Sequence, residues 1–139
     1  MRFFFYGTLI DPDVRRAVLG RLAPETVEPA SLGGWRRFSA KGVTFPIARP
    51  DPKAEIGGVL ARGLSAAAAR KLDDYEGPGY RRIAVPVRAG TKTVEAFLYV
   101  DDGSGTLVPT PAAWRYEDWA RRHKRAFLAT LANQTFAPR

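Results

Sequence analysis

The sequence predicts an α+β fold, a small mixed β-barrel or curled sheet of about six strands with flanking helices. Extended and helical stretches follow one another without strict alternation, which argues against a doubly wound parallel sheet. The alternating run Tyr80 to Arg88 is reversed by Ala89-Gly90-Thr91-Lys92 into Thr93 to Val100; this is a hairpin pattern, and a hairpin implies antiparallel pairing. Glycines and prolines interrupt several strands, as they do in sheets that curl and close. At 139 residues, with 45% hydrophobic and 26% charged, the chain fits one domain over residues 1–139 with a core of its own.

Arg2 to Tyr6 is aromatic on both faces, which suits an interior strand. Thr8 to Asp11 reads as a loop, after which Asp11 caps a short helix with Pro12 at its first position and Gly20 at its end. In the mixed stretch Pro24 to Arg37 and just beyond it, the expected buried points are Val27, Leu32, Trp35 and Phe38, with Gly33-Gly34 a turn or bulge. Val43 to Ile47 is a short strand that Pro46 places at an edge or ends. Arg49 to Lys53 is a loop by composition, and Glu55 to Arg62 is a strand in which Gly57-Gly58 marks a bend or a close approach. Ser65 caps a helix over Ala66 to Tyr75, gripped through Ala68, Leu72 and Tyr75. In the hairpin, Ile83, Val85 and Val87 share one face, and Pro86 implies an edge or a bulge. Asp101 to Thr110 is loop. Trp114 to Leu131 is the longest helix, with Tyr116, Trp119, Ala120, His123, Phe127 and Leu131 on its apolar stripe. Glu117–Arg121 and Asp118–Arg122 are spaced as ion pairs on the opposite side.

Composition removes several function classes. There is no cysteine, so a disulfide framework, a thiolate metal site and a cysteine nucleophile are all excluded. The single histidine excludes multi-histidine metal motifs. No apolar run approaches the length of a membrane span, and the opening Met1 to Gly7 is too short for a signal peptide, so the expectation is a cytoplasmic protein with no membrane partner. The net charge of +8, from 22 Lys and Arg against 14 Asp and Glu, is dispersed except at Arg121 to Arg125. It points to solubility rather than to a specific nucleic-acid footprint. A nucleic-acid surface would draw on Arg36, Arg37, Arg81, Arg82 and the last helix, and it lacks the interleaved aromatics that single-strand binding uses.

Two stretches carry chemistry. Leu72-Asp73-Asp74-Tyr75-Glu76-Gly77-Pro78-Gly79-Tyr80-Arg81-Arg82 reads as a last helical turn, a forced stop and the entry to a strand. Glu76 sits at the negative end of the helix dipole beside Asp73 and Asp74, so its ionisation is opposed. That suits a base that must accept a proton near neutral pH. An exposed Glu76 relieved by Arg81 or Arg82 fits this stretch equally well. The second stretch, Tyr6-Gly7-Thr8-Leu9, follows a buried strand; its glycine lets backbone N–H groups converge on a carboxylate or an oxyanion.

Taken together and in order, the aromatic strand ending in Tyr6-Gly7-Thr8-Leu9, the block Gly33-Gly34-Trp35-Arg36-Arg37-Phe38, the Leu72–Arg82 block and Ala96-Phe97-Leu98-Tyr99-Val100 resemble the γ-glutamylcyclotransferase-like family. The nearer branch holds the avirulence-induced-gene-like proteins and the γ-glutamylamine cyclotransferases. The resemblance runs from Phe3 to about Tyr116. It implies a small mixed barrel and a cofactor-free cyclotransferase. Such an enzyme converts a γ-glutamyl amine or amino acid to 5-oxoproline and the free amine. It also implies that Glu76 is the acid/base, that Tyr6, Gly7, Thr8 and Leu9 hold the γ-glutamyl end, and that Tyr80 is an aromatic neighbour of the site. The Gly7-Thr8-Leu9 loop lacks the Asn of the γ-glutamylcyclotransferases proper, a departure that bears on γ-glutamyl amino acids as substrates and leaves the base untouched. The resemblance leaves monomer or homodimer undecided. The alternative function is a non-catalytic metabolite- or protein-binding module on the same fold.

Overall fold

The computed structural model describes residues 1–134 and 136. Five strands, β1 (Phe3–Phe5), β2 (Thr26–Ser39), β3 (Pro46–Arg62), β4 (Tyr80–Ala89) and β5 (Lys92–Asp101), close into a barrel in the order β1-β3-β2-β4-β5. The pairing is mixed. β1 runs antiparallel to β3, with Phe4 opposite Leu60, and parallel to β5, with Phe3 opposite Phe97. β4 and β5 form the expected hairpin, while β2 meets β4 only at Ser31 and Arg88. Helices α1 (Pro12–Leu19), α2 (Ala66–Glu76), α3 (Tyr116–Arg122) and α4 (Lys124–Leu131) flank the barrel.

The double apolar character of β1 follows from its position between two cores. Phe4 and Tyr6 point into the barrel, where they meet Leu32, Ile56, Leu60, Val85, Val87 and Leu98. Phe3 and Phe5 point the other way, to Val14, Val18, Leu72, Trp119 and Leu131 of the helices. With strand side chains alternating between faces, a strand packed on both sides must be apolar at every position. β5 obeys the same rule, with Leu98 inside and Tyr99 outside.

The count of about six strands becomes five because the pieces expected at Val43–Ile47 and Glu55–Arg62 belong to one strand, β3, and residues 43–45 are bends. β2 supplies a partner to both ends of β3, Thr26 to Gly33 opposite Arg62 to Glu55 and Trp35 to Ser39 opposite Pro50 to Pro46. The proline-rich segment expected as a loop is absorbed as an excursion. Gly33 pairs with Glu55 and Trp35 with Pro50, so residues 51–54 lack partners in the register. Gly34, at φ +84°, shifts the phase of β2 so that Trp35 joins the barrel core. Val27 was expected inside but is exposed, because it has the opposite parity to the inward Ala30 and Leu32. Gly58 is the close approach anticipated in β3: a β-carbon there would lie 2.2 Å from the Phe5 carbonyl oxygen.

The long C-terminal helix is broken. It begins at Tyr116 and divides at His123 (φ −126°), so His123 leaves the apolar stripe and is exposed. Arg121 pairs with Asp118 at 2.8 Å, in place of the two i,i+4 pairs expected. The segment Thr8–Ile10, expected as loop, is a short 3-10 turn. Among the described residues, no helix is long and apolar enough to cross a membrane.

Asp11 joins these parts. It is fully buried; Oδ1 accepts from the amides of Asp13 (2.9 Å) and Val14 (3.2 Å) at the start of α1. Oδ2 accepts from the Tyr116 hydroxyl (2.6 Å) and pairs with Lys124 Nζ (2.9 Å). Burial acts to raise its pKa, but the bonds from Tyr116, Lys124 and the two amides overcome this and hold it below the usual carboxylate range. The sign is that of a depressed carboxyl: the stabilisation is present at neutral pH and lost as acid protonates the group. Asp11→Ala removes the cap and the Tyr116 bond together and is expected to cost about 2–3 kcal/mol in urea unfolding. Asp11→Asn, which keeps a good cap, should cost less; equal midpoints for Asp11→Ala and the parent would show that the side chain does not hold the helices.

Candidate active site

The end of α2 and the exit of β1 meet at one place. Ser65 caps α2 through the Ala68 amide (3.1 Å), and Gly77, at φ +66°, ends it directly after Glu76. Gly79 follows at φ +96°, where a β-carbon would lie 3.0 Å from Leu107, and the chain enters β4 at Tyr80. On the other side, Gly7 packs against β3 so closely that a β-carbon would lie 3.0 Å from Pro46 Cδ. The 3-10 turn closes with Ile10 N–H donating to the Gly7 carbonyl at 3.0 Å and Asp11 N–H to that of Thr8 at 3.1 Å. The amides of Thr8 and Leu9, first in this turn, have no acceptor within it.

An inner cavity of about 30 Å³ separates the two, lined by the Tyr6–Leu9 turn on one side and Glu76 and Tyr80 on the other. An outer cavity of about 170 Å³ shares Thr8, Phe45, Glu76 and Tyr80 with it and extends to Tyr75, Phe127 and Leu131. Every site residue singled out in the sequence, Tyr6, Gly7, Thr8, Leu9, Glu76 and Tyr80, therefore faces the inner space.

Hydrogen bonds hold the surrounding rings in place. The Tyr6 hydroxyl donates to the Tyr99 carbonyl (2.6 Å) and the Tyr80 hydroxyl to the Pro46 carbonyl (2.7 Å). Thr8 Oγ1 and the Tyr75 hydroxyl are 2.6 Å apart. Arg37 donates to the Tyr6 carbonyl at 2.9 Å and lies over the Trp114 ring, bracing the strand that leads into the turn.

Glu76 is the exception to this pairing. Among the described residues it has neither an ion pair nor a hydrogen bond. Arg82, one of the two arginines that the sequence offers to neutralise it, is directed to Asp73 at 3.3 Å and stacks on Phe97. Asp73 also accepts from the Tyr99 hydroxyl at 2.5 Å. Burial first, and the nearby Asp73 charge second, push the Glu76 carboxyl up to about 8. Tyr6, Tyr75, Tyr80 and Tyr99 are all raised, chiefly by burial, with the Glu76 charge adding to each shift. Four neutral phenols thus surround one carboxyl that exchanges its proton near neutral pH. The sequence had only part of the reason: it offered Asp73 and the helix end, whereas burial is the larger cause.

Residues 3–121 match the family described as gamma-glutamyl cyclotransferase, AIG2-like. The chain belongs to that family. AIG2-like protein A of Arabidopsis thaliana is 31% identical over 132 residues, covering 92% of this chain and 77% of the relative. AIG2-like protein B of the same plant is 30% identical over 129 residues, covering 90% and 72%. The solution structure of another Arabidopsis thaliana protein superposes with a TM-score of 0.69 at 31% identity over 93% of this chain and 86% of that one. A solved gamma-glutamyl cyclotransferase shares the fold, with a TM-score of 0.65 at 18% identity over 95% and 86%.

Several lining residues escaped the sequence reading. Tyr75, in the Leu72–Arg82 block, and Tyr99, in the Ala96–Val100 block, drew no site role, and Phe45 and Pro46 were read as strand. The residues from α4 gave no signal, since the helix is far from Glu76 in the chain and lies beyond the residues matched to the family. Among the described residues, no group of three or more His, Asp or Glu is placed to hold a metal ion.

A raised carboxyl opposes folding once it ionises. The cost is absent below the unfolded pKa, grows as pH rises from about 4 to about 8, and is constant above. Glu76→Gln is therefore expected to be more stable than the parent, by about 2–5 kcal/mol at pH 8 and by little at pH 4. Urea midpoints across that range check it, and a pH-independent difference would mean that Glu76 titrates as an exposed residue.

Proposed function

We propose that this protein is a cyclotransferase that converts a γ-glutamyl amine or amino acid to 5-oxoproline and the free amine, with Glu76 as its proton carrier. One observation carries the reading: the Glu76 carboxyl, without a partner among the described residues and pushed up to about 8 by burial, shares a cavity with the Gly7–Leu9 turn. Family membership supports the reaction class.

The α-amine of the substrate attacks its own γ-carbonyl carbon. A C–N bond forms, the five-membered ring closes, and the bond to the departing amine breaks. Because nucleophile and electrophile belong to one molecule, holding the chain in a folded shape supplies much of the rate. Glu76 carboxylate first takes a proton from the α-ammonium, which frees the lone pair. The same carboxyl then returns that proton to the leaving nitrogen, so the enzyme ends as it began. A group that works in both directions needs a pKa near the working pH, which an ordinary glutamate does not have. The N–H groups of Thr8 and Leu9, which have no acceptor within the turn, serve as donors to negative charge, either the substrate carboxylate or the oxygen that becomes anionic as the ring closes. After attack the ring nitrogen still carries a second proton; the carboxyl takes this one too and passes it to the departing amine, which leaves as its ammonium, so lactam N–H and ammonium together account for every proton.

Glu76→Gln preserves size and hydrogen bonding but accepts no proton. It is expected to lower 5-oxoproline release by about two to four orders of magnitude, with substrate binding changed less. In the parent, kcat/KM should rise with pH and level off above about 8, the value for the free carboxyl. Normal turnover by Glu76→Gln would remove Glu76 from the reaction. A parent that binds a γ-glutamyl compound yet releases no 5-oxoproline from any of them would favour the non-catalytic module.

A further inference from the structure

We infer that the outer cavity against α4 holds the amine half of the substrate and selects γ-glutamyl amides of uncharged aryl or bulky alkyl amines. The inference rests on the cyclotransferase reading, since it names what lies beyond the bond that is cut.

Position is the first argument. The inner and outer cavities share Thr8, Phe45, Glu76 and Tyr80. With the γ-glutamyl carboxylate against the Gly7–Leu9 turn at the mouth of the inner space and the leaving nitrogen beside Glu76, the substituent on that nitrogen enters the outer space. Size is the second. A dry cavity of roughly 150 Å³ lined by Leu, Ile and Phe accepts benzene. The outer cavity has about 170 Å³ and is walled by Phe45, Tyr75, Phe127 and Leu131, with Thr130 and Gln134 as further polar wall. The Tyr75 ring is held edge-on by Phe127 (centroids 6.5 Å apart) and Phe136 (5.4 Å), so one wall is a fixed aromatic surface.

Charge is the third argument. Glu76 is the one ionisable acid or base among the described residues lining this cavity, and tyrosines supply the other titratable groups. An amino-acid leaving group would bring a carboxylate toward Glu76 with no cation among the described lining residues to meet it. A leaving group with both an ammonium and a carboxylate would need two partners in the same apolar space. An uncharged aryl or alkyl body needs neither, and it gains from leaving water. Phe127, Thr130, Leu131 and Gln134 of this wall come from α4 and the residues just after it, past residue 121 where the family match ends.

The test compares γ-glutamyl benzylamide, γ-glutamyl ethylamide, γ-glutamyl alanine and γ-glutamyl-ε-lysine as substrates of the purified full chain, read by 5-oxoproline release. The benzylamide is expected to have a kcat/KM at least about tenfold above each of the others. Phe127→Ala should lower the benzylamide-to-ethylamide ratio by about tenfold, mainly through KM. Thr130 is exposed at the rim, so Thr130→Arg is compatible with folding and places a cation there. It should move the ratio of γ-glutamyl alanine to benzylamide upward by a similar factor. Equal turnover of the four substrates, or ratios unmoved by both variants, overturns the subsite. Calorimetric binding of the benzylamide that weakens in both variants, without 5-oxoproline from any substrate, supports the subsite and overturns the cyclotransferase reading. Absence of both binding and turnover overturns the two together.

Discussion

A buried carboxylate, Asp11, connects the parts of the molecule that must act together. It caps α1 directly after the Thr8–Ile10 turn and, through its second oxygen, holds Tyr116 of α3 and Lys124 of α4. An unpaired charge at a site with no exposure would cost several kcal/mol, so the partners are a condition of its being there at all. The effect reaches the site through the chain. The turn lies on one side of Asp11 in sequence, and α4, held in space by Lys124, forms the wall of the outer cavity.

The site inverts this arrangement. Asp73 is given a tyrosine hydroxyl and an arginine, whereas Glu76, three residues on, receives no partner among the described residues. The two carboxylates share a helix end and differ in what the barrel presents to them. Arg82 stacks over Phe97 of β5, which directs its guanidinium to Asp73. Glu76 turns into a ring of phenols, two of whose hydroxyls are already donating to main-chain carbonyls. Local strain of this electrostatic kind is opposed to stability and useful in proton transfer.

The positive charge has a structural use that its total conceals. Arg36 meets Asp51 at 2.8 Å, Arg37 braces the carbonyl of Tyr6, and Arg82 meets Asp73. Three of the four arginines that suggested a nucleic-acid face in the sequence are thus engaged within the fold. Arg121, Arg122 and Arg125 remain exposed on α3 and α4, where they face solvent as the helical pattern implied.

Wherever local physical chemistry suffices, the sequence alone determined the outcome. Asp11 and Ser65 cap helices because their side chains reach the next free amides, and Gly20 and Gly77 end them because positive φ is easy only for glycine. Alternation placed Ile83, Val85 and Val87 on the barrel face, and the aromatic run of β1 announced a strand covered on both sides. The two blocks that line the inner cavity, Tyr6–Leu9 and the Glu76 turn, were also legible, since each carries its own glycine signature. What needed the tertiary structure were the features set by distant partners. Prolines that read as loop lie in β3 because β2 provides a register long enough to carry an excursion. A helix that read as continuous breaks at His123, and the residue beyond it, Lys124, is held against Asp11, more than a hundred residues earlier. The height of the Glu76 pKa was hidden for the same reason: charge along a helix can be counted in sequence, whereas burial is produced by strands and rings that come together only on folding.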